Sequence, residues 1–122
     1  MVNILDKIIE EKKNSLNKFK KTTTLDSLEK NIKNLNTYLN FKETINNNKN
    51  VSIIAEIKKS SPSAGQLIKD FNHLNIAKMY VENGATCLSV LTEEKYFLGK
   101  LDYIKDIKNS FKIPILAKDF FI

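Results

Sequence analysis

Glu56 and Lys58 stand two positions apart in Ile53-Ile54-Ala55-Glu56-Ile57-Lys58-Lys59-Ser60-Ser61-Pro62-Ser63-Ala64-Gly65, an apolar run that ends as a turn. A strand has a side-chain period of two, so the carboxylate and the ammonium share one face, and Ile53, Ala55 and Ile57 share the other. Burying an acid and a base at the end of an apolar strand is costly unless they are paired or used. Ser61-Pro62-Ser63 then stops the strand, because Pro cannot donate to a ladder and serines suit a turn. Taken alone, Glu56 and Lys58 read equally well as a structural ion pair and as chemistry. Lys118 ends another apolar run, Pro114-Ile115-Leu116-Ala117, and taken alone reads as a solvated strand end.

The elements that must position these groups follow from periodicity. Val51 to Ile57 reads as a strand and Phe71 to Asn83 as a helix, with Gly84 just past its end. Thr86 to Leu91 is a near-continuous apolar run of the buried parallel type. Leu101 to Phe111 reads as a second helix, and Ile113 to Lys118 as a third strand, whose Pro114 is tolerable near its start. This βαβαβ order demands a parallel sheet with right-handed crossovers. No G-x-G-x-x-G follows any strand, which counts against a dinucleotide-binding sheet. A (β/α)8 barrel gains ground, because Glu56, Lys58 and Lys118 all fall at the C-terminal ends of strands, where such barrels do chemistry.

Ahead of the strands, residues 1–50 read as a helical extension, and residues 51–122 as the strand-bearing region. Residues 3–19 carry an i, i+3, i+4 stripe with Asn3 as candidate N-cap. Leu25 to Leu39 resumes it with Thr24 or Asp26 as cap. Phe41 to Ile45 reads as a short further turn, and Asn46 to Asn50 as an exposed polar linker.

Composition narrows the function classes. The chain has 122 residues, suiting one small domain. All 20 cations are lysines, against 14 acids. The absence of arginine weakens a nucleic-acid reading. Residues 1–50 hold ten Lys and six acids, and residues 51–122 hold ten and eight, so the excess is spread, as on a solvated surface. One cysteine, Cys87, excludes an internal disulfide and reads as a small buried hydrophobe. With the single His73, which reads as a loop or helix-start residue, it leaves no zinc cluster. No stretch approaches the ~20 apolar residues of a membrane span, and residues 1–13 lack the apolar run of a secretory signal. A cytoplasmic protein is the default expectation, with neither nucleic acid nor membrane as partner.

Three blocks together resemble one family. Residues 53–65, quoted above, look like the signature of indole-3-glycerol-phosphate synthase. Leu88-Ser89-Val90-Leu91-Thr92-Glu93-Glu94-Lys95-Tyr96-Phe97-Leu98-Gly99 is similar to its second strand and following loop. Pro114-Ile115-Leu116-Ala117-Lys118-Asp119-Phe120 is similar to its third strand, and Ile4-Leu5-Asp6-Lys7-Ile8 to the start of its N-terminal helix. Ala64 stands where the family turn commonly has Lys, and Lys100 where Ser commonly follows the glycine.

The resemblance implies a (β/α)8 (TIM) barrel, here a partial one, and a carboxy-lyase of tryptophan biosynthesis. Its substrate is 1-(2-carboxyphenylamino)-1-deoxyribulose 5-phosphate, and its products are indole-3-glycerol phosphate, carbon dioxide and water. No metal or organic cofactor is implied. Lys118 matches the general acid that protonates the ketone oxygen, a task that suits a lysine whose pKa is lowered by burial or neighbouring cations. Lys58 matches a residue holding an anionic group of the substrate. Glu56 matches one that positions the lysines and helps proton movement. Ser61 and Ser63 would shape the loop beside the substrate. Leu91, Phe97 and Phe120 would wall the aromatic ring, although in an arbitrary protein such phenylalanines are more often core.

Strand parity then sets an expectation. Lys118, Leu116 and Pro114 face the barrel interior with Glu56, Lys58, Ser52 and Ile54, and with Leu91, Ser89 and Cys87. Ile113, Ile115 and Ala117 face the helices. Eight strands and about 250 residues close such a barrel, so a chain with three strands reads as a fragment, inactive alone. The alternative is a non-catalytic half-barrel that assembles with itself or with a separate C-terminal half.

Overall fold

A computed structural model describes residues 1–122. They form two compact units, one of residues 1–38 with 120–122 and one of residues 39–119. The division falls after Tyr38, upstream of the residue-50 boundary read from the change of element pattern.

In the first unit, α1 spans Ile4–Thr22. Asn3 caps it, its Oδ1 accepting the Asp6 N–H at 2.9 Å. α2 spans Leu25–Lys33, and Thr24 is its cap, with Oγ1 accepting from Ser27 N–H at 3.2 Å. The helix stops six residues short of Leu39. Asn34 donates back to the Asn31 and Ile32 carbonyls as the C-cap, and asparagines favour such ends over helix interiors.

The second unit holds the strands. α3 spans Phe41–Asn46, capped by Asn40. The 46–50 linker is not purely solvated: half-buried Asn48 donates through Nδ2 to Ser52 Oγ at 3.2 Å and Thr86 Oγ1 at 3.3 Å. Ser52 in turn donates to the Ile45 carbonyl at 3.2 Å. This polar knot ties α3 to the start of the sheet, which is why α3 groups with the strands.

Strand β1 is Ile54–Ile57. It begins three residues later than the apolar run, because Val51 is 87% exposed and Ile53 bonds to Thr86 instead. The serine turn is itself a small hairpin, β2 (Ser60–Ser61) pairing antiparallel with β3 (Gly65–Gln66). Gly65 closes it at φ +67°, a conformation that favours glycine. α4 spans His73–Glu82, and Gly84 at φ +86° follows its C-cap as expected. β4 is Cys87–Leu91, α5 is Asp102–Ser110 and β5 is Ile115–Lys118. β5 starts after Pro114, which has no N–H to give a ladder.

β1, β4 and β5 form one parallel sheet with β4 in the centre. In a parallel pair, residues in register share a face. Ile57, Leu88 and Val90 join Ala77 of α4, Ile107 of α5 and Ile113 in the buried cluster, with Ala55 and Ile115 packed against it. One face of the sheet is therefore clamped to the helices. Each buried Ile, Leu or Val stabilises by about 1.5–3 kcal/mol, so this outer layer holds the unit together and leaves the other face to function. The helices are also joined to each other: His73 Nε2 lies 2.8 Å from Asp106 Oδ2, and its ring stacks on Tyr103 at 4.3 Å. No helix is long and apolar enough to cross a membrane.

Candidate active site

On the face away from α4 and α5, register sets the side chains in rows. Ile54 pairs with Cys87, Glu56 with Ser89, Ser89 in turn with Leu116, and Leu91 with Lys118. These are the interior residues that strand parity predicts. Cys87, Ser89 and Leu91 are buried, whereas Ile54 and Leu116 are each 47% exposed. Burial raises the pKa of the Cys87 thiol, which disfavours the thiolate.

At the C-terminal rim of that face the three charged residues meet. Lys118 Nζ donates to Glu56 Oε2 at 2.6 Å. Lys58 Nζ lies 3.1 Å from Glu56 Oε1. One carboxylate is thus clasped by an ammonium on each oxygen. Tyr80 of α4 fixes its backbone, donating its hydroxyl to the Glu56 carbonyl at 2.9 Å. Desolvation pushes the Glu56 carboxyl up, but the hydrogen bonds and charges of Lys118 and Lys58 outweigh it and hold its pKa below the ordinary value. The trio carries one net positive charge. Each ammonium has three donors and spends one on Glu56, leaving the rest for an anionic or carbonyl ligand. The Lys118 side chain is 53% exposed, so its ammonium is open to solvent.

The other expected residues are placed less uniformly. Ser61 Oγ lies 3.5 Å from Ser63 Oγ and accepts the Ala64 N–H at 3.2 Å, so both serines shape their own hairpin loop. Leu91 is 3% exposed and offers almost no surface to a ligand ring. Phe97 is half-buried in the loop after β4. Phe120 groups with the helical unit of residues 1–38.

Glu93 was missed by sequence reasoning. It is 4% exposed, and its carboxylate accepts backbone N–H groups of Lys95 at 3.1 Å, Tyr96 at 2.7 Å and Phe97 at 2.9 Å. The available signal was an acid two residues past a largely apolar strand, at the start of a loop rich in backbone donors. Beside that loop lies an open cleft of about 340 Å³, lined among others by Lys59, Leu98, Gly99 and Lys100. It adjoins the charged trio in sequence but contains none of its members. No three His, Cys, Asp or Glu side chains converge as a metal cage.

The family model for indole-3-glycerol phosphate synthase matches residues 5–122. The indole-3-glycerol phosphate synthase of Desulforamulus reducens is 43% identical over 119 residues, covering 98% of this chain and 45% of the relative. That of Clostridium acetobutylicum is 46% identical over 120 residues, with 98% and 45% covered. That of Alkaliphilus metalliredigens is 44% identical over 119 residues, with 98% and 46% covered. The chain thus spans just under half the length of these curated relatives. The family folds as a (β/α)8 barrel, and the three parallel strands with α4 and α5 on one face are part of such a barrel. This chain belongs to the indole-3-glycerol phosphate synthase family.

Proposed function

We propose that the chain contributes the acid–base rim of an indole-3-glycerol phosphate synthase, a carboxy-lyase of tryptophan biosynthesis. Its substrate is 1-(2-carboxyphenylamino)-1-deoxyribulose 5-phosphate. In the reaction the ring carbon bearing the carboxylate attacks the ketone carbon, the carboxylate leaves as carbon dioxide, and the former ketone oxygen, once protonated, leaves as water while the adjacent nitrogen-bearing carbon gives up a proton to form the new double bond. Lys118 gives its proton to that oxygen as the carbon–carbon bond forms. Lys58 holds an anionic group of the substrate. Glu56 keeps both ammoniums at the rim and takes part in proton movement. Ser61 and Ser63 bound the pocket on the hairpin side, while half-buried Phe97 offers a wall for the aryl group. The place of work is the cytoplasm.

The observation that carries this reading is the clasp of Glu56 between Lys118 and Lys58 at the strand ends. An indole-fluorescence turnover assay tests it, on the chain itself and on a version extended to the length of its relatives. Turnover in either form supports the reading; absence from both overturns it.

A second reading is a non-catalytic half-barrel that assembles with itself or with a separate C-terminal half. It is favoured by the open flanks of β1 and β5 and by half-exposed Ile54 and Leu116 on the inner face. A discrete, inactive dimer in sedimentation would support it over the first.

A further inference from the structure

We propose that Glu93 is a positioning residue for the substrate's aromatic part, acting through the loop that carries Phe97 and edges the neighbouring cleft. The inference deepens the functional reading above and rests on it. A buried carboxylate must find donors, and Glu93 finds three in one loop, the backbone N–H groups of Lys95, Tyr96 and Phe97. Its own carbonyl accepts the Gly99 N–H at 2.7 Å, closing the loop on itself. Charge-assisted bonds of this kind are about twice as strong as neutral ones, so one side chain sets the path of residues 94–99.

The loop needs such a clamp. Leu98 sits at φ +53°, the one non-glycine residue of the chain in the left-handed region. Left-handed geometry is unfavourable for an L side chain and persists where the surroundings over-determine it. Gly99 seals the far end: a Cβ there would lie 2.2 Å from the Leu91 carbonyl oxygen, so the loop backbone lies directly against the end of β4. Between these anchors lies Phe97, and Leu98 and Gly99 line the cleft of about 340 Å³ together with Lys59 and Lys100. Glu93 touches none of the space a ligand would fill. It acts on it through three amides.

The test is amide hydrogen exchange by NMR on the 122-residue chain, with substrate affinity measured on the same samples by the substrate's aryl fluorescence. Glu93→Gln should speed exchange at Lys95, Tyr96 and Phe97 by about tenfold or more while Leu88 and Val90 in the core keep their protection. Substrate affinity should fall by about tenfold, and Glu93→Asp, which keeps the charge, should restore part of both effects. Unchanged loop exchange, a uniform loss that includes Leu88 and Val90, or a freed loop with unaltered affinity would each overturn the proposal. Absence of substrate affinity from the wild-type chain and equally from the version extended to the length of its relatives overturns the functional reading and this inference with it. That failure is distinguishable, because Glu93→Gln would still release the loop.

Discussion

Lys118 Nζ lies 2.6 Å from Glu56 Oε2, joining the ends of β5 and β1 across the central strand. Neighbouring strands are about 4.8 Å apart, so the two side chains bridge roughly twice that distance over β4. On β4 the bridge passes between the register partner of Glu56, Ser89, and that of Lys118, Leu91. The helix-clamped face makes this reach reproducible, because Ile57 and Val90, buried in the core, fix the parity that turns Glu56 and Lys118 the other way.

The two lysines should fail differently. Lys118→Met removes the proposed proton donor, so turnover of the extended synthase should fall by about 10²–10⁴-fold with little change in KM. Lys58→Met removes the proposed anion contact, made before and during reaction, so KM should rise by about tenfold or more with a smaller loss in kcat. Steady-state kinetics on both variants check this. Equal effects on kcat and KM would remove the division of roles.

Glu56 should leave a mark on acid stability. Its folded pKa lies below its ordinary value of 4.5, so folding favours the ionised form. The stabilisation is fully present above the unfolded value and is lost as pH falls through the folded one. Glu56→Gln should therefore unfold more readily than wild type at pH 7, and the gap should close below about pH 4.5 as the wild-type carboxyl protonates. Denaturant midpoints of the two proteins across that range measure it.

Much of this was legible in the sequence, and the lapses share a cause. Period-two alternation put Glu56 and Lys58 on one face, and the near-continuous apolar run at 87–91, broken only by Ser89, announced a central strand, because burial on both faces leaves little room for polar side chains. Element ends were less legible. The stripe through Leu35 and Leu39 looks helical, yet both are exposed and Asn34 caps the helix before them. Periodicity reports what a helix could bury, not whether a surface exists to bury it. Glu93 escaped because its partners are backbone N–H groups, which carry no residue code. The hairpin at Ser60–Gln66 escaped because strands of two residues have no period to read.

The outer layer offers a test independent of chemistry. His73 is held between Asp106 Oδ2 at 2.8 Å and the Tyr103 ring at 4.3 Å, linking α4 to α5. A double-mutant cycle of His73→Ala and Asp106→Ala at pH 7 should give a coupling of about 0.5–1.5 kcal/mol in unfolding free energy. Turnover of the extended synthase should change by less than about twofold, since neither residue belongs to the rim. Zero coupling would show that the pair merely coexists on the surface.

Gly99 is the sharpest steric test. Its missing side chain lets the loop backbone lie on the end of β4, and an added Cβ would meet the Leu91 oxygen at 2.2 Å, the Leu91 carbon at 2.6 Å and the Thr92 nitrogen at 2.9 Å. Two belong to Leu91, the last residue of β4 and the register partner of Lys118, and the third to Thr92, whose N–H is bonded to the Lys118 carbonyl, so none can swing aside as a flexible side chain would. Gly99→Ala must displace either the loop or the strand end. The strand is the worse choice: the Thr92 N–H donates to the Lys118 carbonyl at 3.0 Å, and moving it would disturb the lysine that clasps Glu56. The loop should therefore yield, with a loss of about 1–3 kcal/mol in folding stability, as for other overpacked sites. Exchange protection should fall at the Gly99 amide, whose bond to the Glu93 carbonyl would break, while the Thr92 amide stays protected. Loss of protection at Thr92 would instead place the strand end, not the loop, as the softer element.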